Sequence, residues 1–122
     1  MATVVQNITV ADEWYVGEDK VFTFTVRDVN GVVVNITGYT FEWTVRTGRS
    51  HPVKRITKTS GAGIVITDAV NGVLTVTVAR ADTLGPPIFR AGRYYHGLAR
   101  TNSGVYDVEI DGYADLLKSA VN

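Results

Sequence analysis

Hydrophobic and polar residues alternate with a period of two along three stretches of this chain: Phe22-Thr23-Phe24-Thr25-Val26-Arg27, Phe41-Glu42-Trp43-Thr44-Val45-Arg46 and Leu74-Thr75-Val76-Thr77-Val78. Side chains on a strand point alternately to opposite sides, so each stretch buries one face and wets the other. Further strands are expected over Val4 to Val10, Val53 to Thr59, Ile64 to Thr67, Tyr94 to Thr101 and Val105 to about Leu117. The turns between them carry their own signals. Asn30-Gly31 and Asn71-Gly72 supply the positive φ that a tight hairpin needs. Pro86-Pro87 cannot donate to a sheet ladder, so residues 80 to 93 are expected to cross as a loop, with one helical turn near Ala81 to Leu84.

Parity then assigns the interior. Phe22, Phe24, Val26, Phe41, Trp43, Val45, Ile64, Ile66, Leu74, Val76, Val78, Tyr94, His96 and Leu98 fall on one face and should form a single core. Eight or nine short strands with frequent turns point to an all-β, immunoglobulin-like antiparallel β-sandwich. Trp43 stands where such a domain places its central tryptophan. Ala91-Gly92-Arg93-Tyr94-Tyr95 resembles a tyrosine corner, and His96 takes the position of the second bridging cysteine. The chain has no cysteine, so the inter-sheet disulfide must be replaced by packing. One domain over residues 1–122 is expected, with the strand core at about 4–117, because a chain this long buries roughly two thirds of its unfolded surface.

Composition narrows the chemistry. Without cysteine there is no thiol catalysis and no thiolate metal site. Twelve basic and twelve acidic residues cancel, so no net field draws the chain to nucleic acid or to a membrane. The first residues lack a basic segment followed by an apolar run, so folding in a cytoplasm is expected. Asn7-Ile8-Thr9 and Asn35-Ile36-Thr37 fit the N-glycosylation pattern and read as strand and turn residues in that compartment.

Candidate sites are few. Asp107-Val108-Glu109-Ile110-Asp111-Gly112 resembles the start of a calcium loop, yet Lys118 stands where the closing Glu belongs. The segment also alternates as a strand, with Val108 and Ile110 inward and the acids outward. Ser60-Gly61-Ala62-Gly63 lacks the Lys-Ser/Thr ending of a phosphate loop and reads as a turn. His51 and His96 are the only histidines, with no third ligand at useful spacing, so no metal and no cofactor are expected. His96 reads as a core histidine bonded to backbone. Ser50-His51 are adjacent without any surrounding nucleophile motif, and no catalytic residues are assigned.

Charge placement says more than its zero sum. Arg46, Arg49, Lys54, Arg55 and Lys58 occur with no acid between them, whereas residues 1 to 30 and 101 to 122 are both acidic. A basic hairpin at one end and acids at another would let copies dock by charge. The interaction candidates are therefore Trp14, Tyr15, Arg46, Arg49, His51, Lys54, Arg55 and Lys58. Trp14 and Tyr15 lie in a polar connection, where they either anchor an interface or cap the open end of the core.

Several segments, in order, resemble the immunoglobulin-like modules of tailed-bacteriophage structural proteins, such as baseplate upper protein N-terminal domains and small tail or head accessory proteins. They are Gly17-Glu18-Asp19 before Phe22-Thr23-Phe24, Asp28-Val29-Asn30-Gly31 leading to Ile36-Thr37-Gly38, Phe41-Glu42-Trp43-Thr44-Val45, Gly63-Ile64-Val65-Ile66, Asn71-Gly72-Val73, Ala81-Asp82-Thr83 and Ala91-Gly92-Arg93-Tyr94-Tyr95. The resemblance implies a non-enzymatic virion component of the tail, connector or capsid, homo-oligomeric and bound to other phage structural proteins. It gives no role in binding nucleic acid or membrane. The alternative is a carbohydrate- or host-surface-binding module, with Trp14, Tyr15, Tyr95 and Tyr106 stacking on a glycan.

Overall fold

The computed structural model describes residues 4–48, 54–84, 91–102 and 107–118. Eight strands run in chain order: β1 (Val4–Val5), β2 (Lys20–Thr25), β3 (Phe41–Arg46), β4 (Lys54–Ser60), β5 (Gly63–Asp68), β6 (Val73–Val78), β7 (Gly92–Arg100) and β8 (Asp107–Leu116). The expected crossing turn is present as a 3-10 turn at Arg80–Thr83. Pro86-Pro87 lie outside the described residues.

The strands are ordered β1-β8-β7-β3-β4-β5-β6-β2. Phe22 and Phe24 of β2 nevertheless touch Trp43 of β3, with ring centroids 5.9 and 6.5 Å apart. Strands so far apart in hydrogen-bonding order meet only if the sheet curls over on itself. The curl is made at Ser60–Gly63, where Thr59 and Ala62 exchange backbone bonds and Gly61 takes φ +82°. So β1-β8-β7-β3-β4 forms one layer and β5-β6-β2 faces it. This all-β order, with a parallel first strand on the last, is immunoglobulin-like. The two sheets expected from the sequence are one continuous, curled sheet, because the β4–β5 corner keeps pairing through the turn.

The interior holds the residues that parity assigned. Phe22, Phe24, Phe41, Trp43, Leu74, Val76 and Leu98 are buried, and Tyr94 packs half-buried against them. His96 does what the missing disulfide would do. Its ring stacks on Phe24 at 5.7 Å, joining the two layers. The Trp43 Nε1–H donates to His96 Nδ1 at 3.1 Å, and His96 Nε2 lies 2.6 Å from the Gln6 carbonyl. Because Nδ1 must accept, the Nε2–H donates to Gln6, which fixes a neutral tautomer.

Two expectations fail for identifiable reasons. The regular first strand is only Val4–Val5, because the Gln6 carbonyl is taken by His96 and the Tyr113 N–H by the Asn7 side chain, and the run along β8 then gives way to a 3-10 turn at Val10–Asp12 and a left-handed Glu13 (φ 55°). In β8 the pairing slips between Leu98 and Ala99, which face Ile110 and Val108. Glu109 is the extra residue of that bulge and turns inward beside Ile110, while Val108 is exposed. The alternation expected over 107 to 111, with Val108 and Ile110 inward and the acids outward, is thus broken at two residues, Val108 and Glu109.

Candidate functional site

The outer face of the β3-β7-β8 layer carries a depression. Inward positions of β3 are Phe41, Trp43 and Val45, so Glu42, Thr44 and Arg46 look outward. Register sets Thr44 beside Gly97 and Gly97 beside Asp111; the next row is Arg46, Tyr95 and Tyr113, and the row on the other side is Glu42, Ala99 and Val108. Gly97 has no side chain and Ala99 a methyl only, so the middle of the face sinks into a trough of about 320 Å³. Thr44 and Ala99 are buried in it, and Arg46, Tyr95, Val108 and Asp111 also line it.

The groups that line the trough are hydrogen-bonding and stacking groups. Arg46 offers a planar donor fork, Asp111 an acceptor, Tyr95 an aromatic plane and Thr44 a hydroxyl. His96 behind the trough has both ring nitrogens engaged. Burial holds its pKa below the ordinary 6.5, against the opposing pull of the Gln6 bond and Asp111. No group of three or more His, Asp or Glu among the described residues is placed to hold a metal.

The interaction residues expected from the sequence do not form one patch. Arg49 and His51 lie outside the described residues, as does Tyr106. Lys54 shares the outer face with Arg46 and pairs with Glu42 at 2.8 Å. Arg55 is exposed beside the slip between Val45 and Arg46. Lys58, beyond that slip, pairs in register with the inward Trp43, packs its stem against Gly63 and bonds Asp82 at 2.8 Å. The basic run is therefore split between two faces and partly neutralised within the chain.

Trp14 is a correction. It is fully buried, not an exposed anchor. Backbone bonds from Leu117 N to Trp14 O and from Val16 N to Leu117 O clamp the segment to β8 and drive the indole under the core. There it meets Phe22 edge-on at 5.5 Å. Of the two readings for this connection, capping holds for Trp14, while Tyr15 is half-buried.

Sequence reasoning did not single out Gly97 or Ala99, and met Asp111 only within the calcium-like segment 107 to 112. The available signal was Gly97 itself, since a glycine inside a strand pattern marks a gap or a close approach. Arg93 and Tyr113 extend the same face: the guanidinium lies 3.8 Å over the Tyr113 ring and bonds Asp115 at 2.9 Å.

No family model and no curated protein matches this chain. Solved structures do. One is the NK cell receptor Nkp44, described as a triggering partner in natural cytotoxicity: 13% identity, TM-score 0.44, covering 96% of this chain and 100% of that one. Another is a putative glycoside hydrolase from Bacteroides vulgatus, with 9% identity and a TM-score of 0.42. The match covers 98% of this chain but 17% of the hydrolase, so this chain spans a small part of that protein. Neither is a bacteriophage protein.

Proposed function

We propose that this chain is a non-enzymatic structural module of a bacteriophage virion, an accessory of tail, connector or capsid that binds other virion proteins through its outer surfaces. The reading takes its biological setting from the sequence resemblance. It takes its mechanism from one observation: His96, Trp14 and Trp43 are spent inside the fold, while Arg46, Tyr95 and Asp111 gather around the outer trough. Arg and Tyr are enriched at protein interfaces, where a planar fork and a rigid ring give much contact for little lost freedom.

Mass spectrometry of purified particles from the host that carries this gene tests the setting. The chain is expected at fixed stoichiometry, and its absence from particles overturns the reading. Arg46→Glu combined with Tyr95→Ala should lower incorporation into particles of a chain that still unfolds cooperatively.

A second reading has its own support. Tyr95 beside Thr44, Arg46 and Asp111 offers a ring plane and hydrogen-bonding groups of the kind a saccharide uses. Both tryptophans are fully buried, so tryptophan emission is the wrong reporter for it. Saturable shifts of the Gly97 and Tyr95 amide resonances on adding oligosaccharides would favour this reading over the first.

A further inference from the structure

Strand β2 lies at the end of the strand order with one edge unpaired among the described residues. The segment that precedes it, residues 4 to 17, bonds to β8 in the opposite layer. Gln6 N–H, Ile8 N–H and Val16 N–H donate to carbonyls of Asp111, Tyr113 and Leu117. Parity shows what the open edge offers. Val26 N–H donates to Gly72 O on the β6 side, so alternate residues back along the strand face β6. Val21, Thr23 and Thr25 therefore present their N–H and C=O groups outward.

Folded proteins blunt such edges with charges, prolines, bulges or very short strands. The other end of the strand order follows that rule, since β1 has two residues. Where β4 and β5 part beyond their two paired positions, β4 carries Lys54, Arg55 and Lys58 and a bulge against β3, and the pairing of β5 with β6 slips before Asp68. β2 has one charge, the half-buried Lys20 at its first position, and no proline or bulge: its register to β6 is unbroken from Lys20 to Thr25, and its outward face is the uncharged Val21, Thr23 and Thr25.

We infer that β2 is a self-pairing edge, to which a second copy of this chain adds its own β2 antiparallel, with Thr23 facing Thr23 across a two-fold axis. In that register Val21 faces the second copy's Thr25, and the N–H and C=O groups of Val21, Thr23 and Thr25 are all satisfied. No like charges meet between residues 19 and 27. Lys20 faces Val26, and Arg27 falls opposite the second copy's Asp19 at both ends. The arrangement is isologous and closed, as a dimer requires. Such an edge contact is smaller than a standard interface of roughly 1,600 Å², so it is weak in dilute solution and is strengthened where a particle holds copies close together. The inference rests on the assembly reading for its purpose, though not for its geometry.

The absence of native cysteine makes the test clean. Facing residues of a hydrogen-bonded antiparallel pair have Cα atoms about 5.5 Å apart, within disulfide reach. Thr23→Cys should form a disulfide-linked dimer on mild oxidation. Val21→Cys is as exposed but would sit roughly 13 Å from its own symmetry mate, four residues along the ladder, and should cross-link about tenfold or more slowly, since pairing concentrates only the first pair of thiols. Thr23→Lys, with its outward side chain, should fold normally, keep its thermal midpoint and sediment as a monomer at concentrations where the unmodified chain dimerises. Equal cross-linking of the two cysteine variants, or no cross-linking of Thr23→Cys, overturns the inference. Presence of the chain in particles without Thr23→Cys cross-linking refutes only the pairing, whereas cross-linking without incorporation refutes only the virion setting.

Discussion

Trp43→Ala should cost about 3 to 5 kcal/mol of stability, the usual range for emptying a buried aromatic site. It also strips His96 Nδ1 of its donor. Denaturant unfolding checks this, and a neutral result would place Trp43 on the wrong face. His96 and Glu109 make stability depend on pH in opposite senses. Burial keeps the folded His96 pKa below 6.5, so as pH falls below 6.5 the unfolded chain takes up its proton first and stability drops until the folded pKa is passed. Glu109 is fully buried, and neither carboxylate oxygen has a hydrogen-bond partner. Burial, helped by Asp107 and opposed by Arg100, raises its pKa above the ordinary 4.5. Its contribution is intact below 4.5 and is lost as pH rises toward the raised folded value. Glu109→Gln should therefore raise the thermal midpoint at neutral pH and flatten the loss above 4.5, whereas a lowered midpoint would reveal a partner for the carboxylate.

At the scale of elements, the two glycines that matter are at joins. Gly72 closes the β5–β6 hairpin at φ +74°, and an added Cβ would sit 2.6 Å from the Val34 carbonyl. Gly72→Ala should cost on the order of 1 to 3 kcal/mol from backbone strain alone, measurable by thermal unfolding. Gly112 in β8 lies under the N-terminal segment, where a Cβ would meet Gln6 O and Asn7 Oδ1 at 2.6 Å. Gly112→Ala should lift residues 6 to 8 from β8, seen as faster amide exchange at Gln6 and Ile8 with β2, β3 and β6 protected as before. The faces of those three strands were legible because Phe22, Phe41 and Leu74 each head an unbroken alternation. β8 was not, since a bulge is a property of two strands in register and leaves no mark at Glu109 alone. The fate of Trp14 was hidden for a similar reason: what buries it is the pairing with Leu117, at the far end of the chain.

For the whole molecule, the layered all-β class and the cysteine-free core follow from periodicity and composition, while the surface does not. A run of basic residues reads as one patch on paper, yet the slip in β3–β4 pairing at Arg55 sets Lys54 beside the outward Arg46 while Lys58 stays beside the inward Trp43. The trough exists because Gly97 and Ala99 are small where three strands meet, a coincidence of register. The open edge of β2 follows from the strand order, and no local pattern says that. Assembly is what the outer surfaces are argued to do, and sedimentation velocity of the purified chain from dilute to concentrated solution tests it most directly. The account predicts a monomer that gives way to a dimer as concentration rises; a single monomeric species throughout would contradict it.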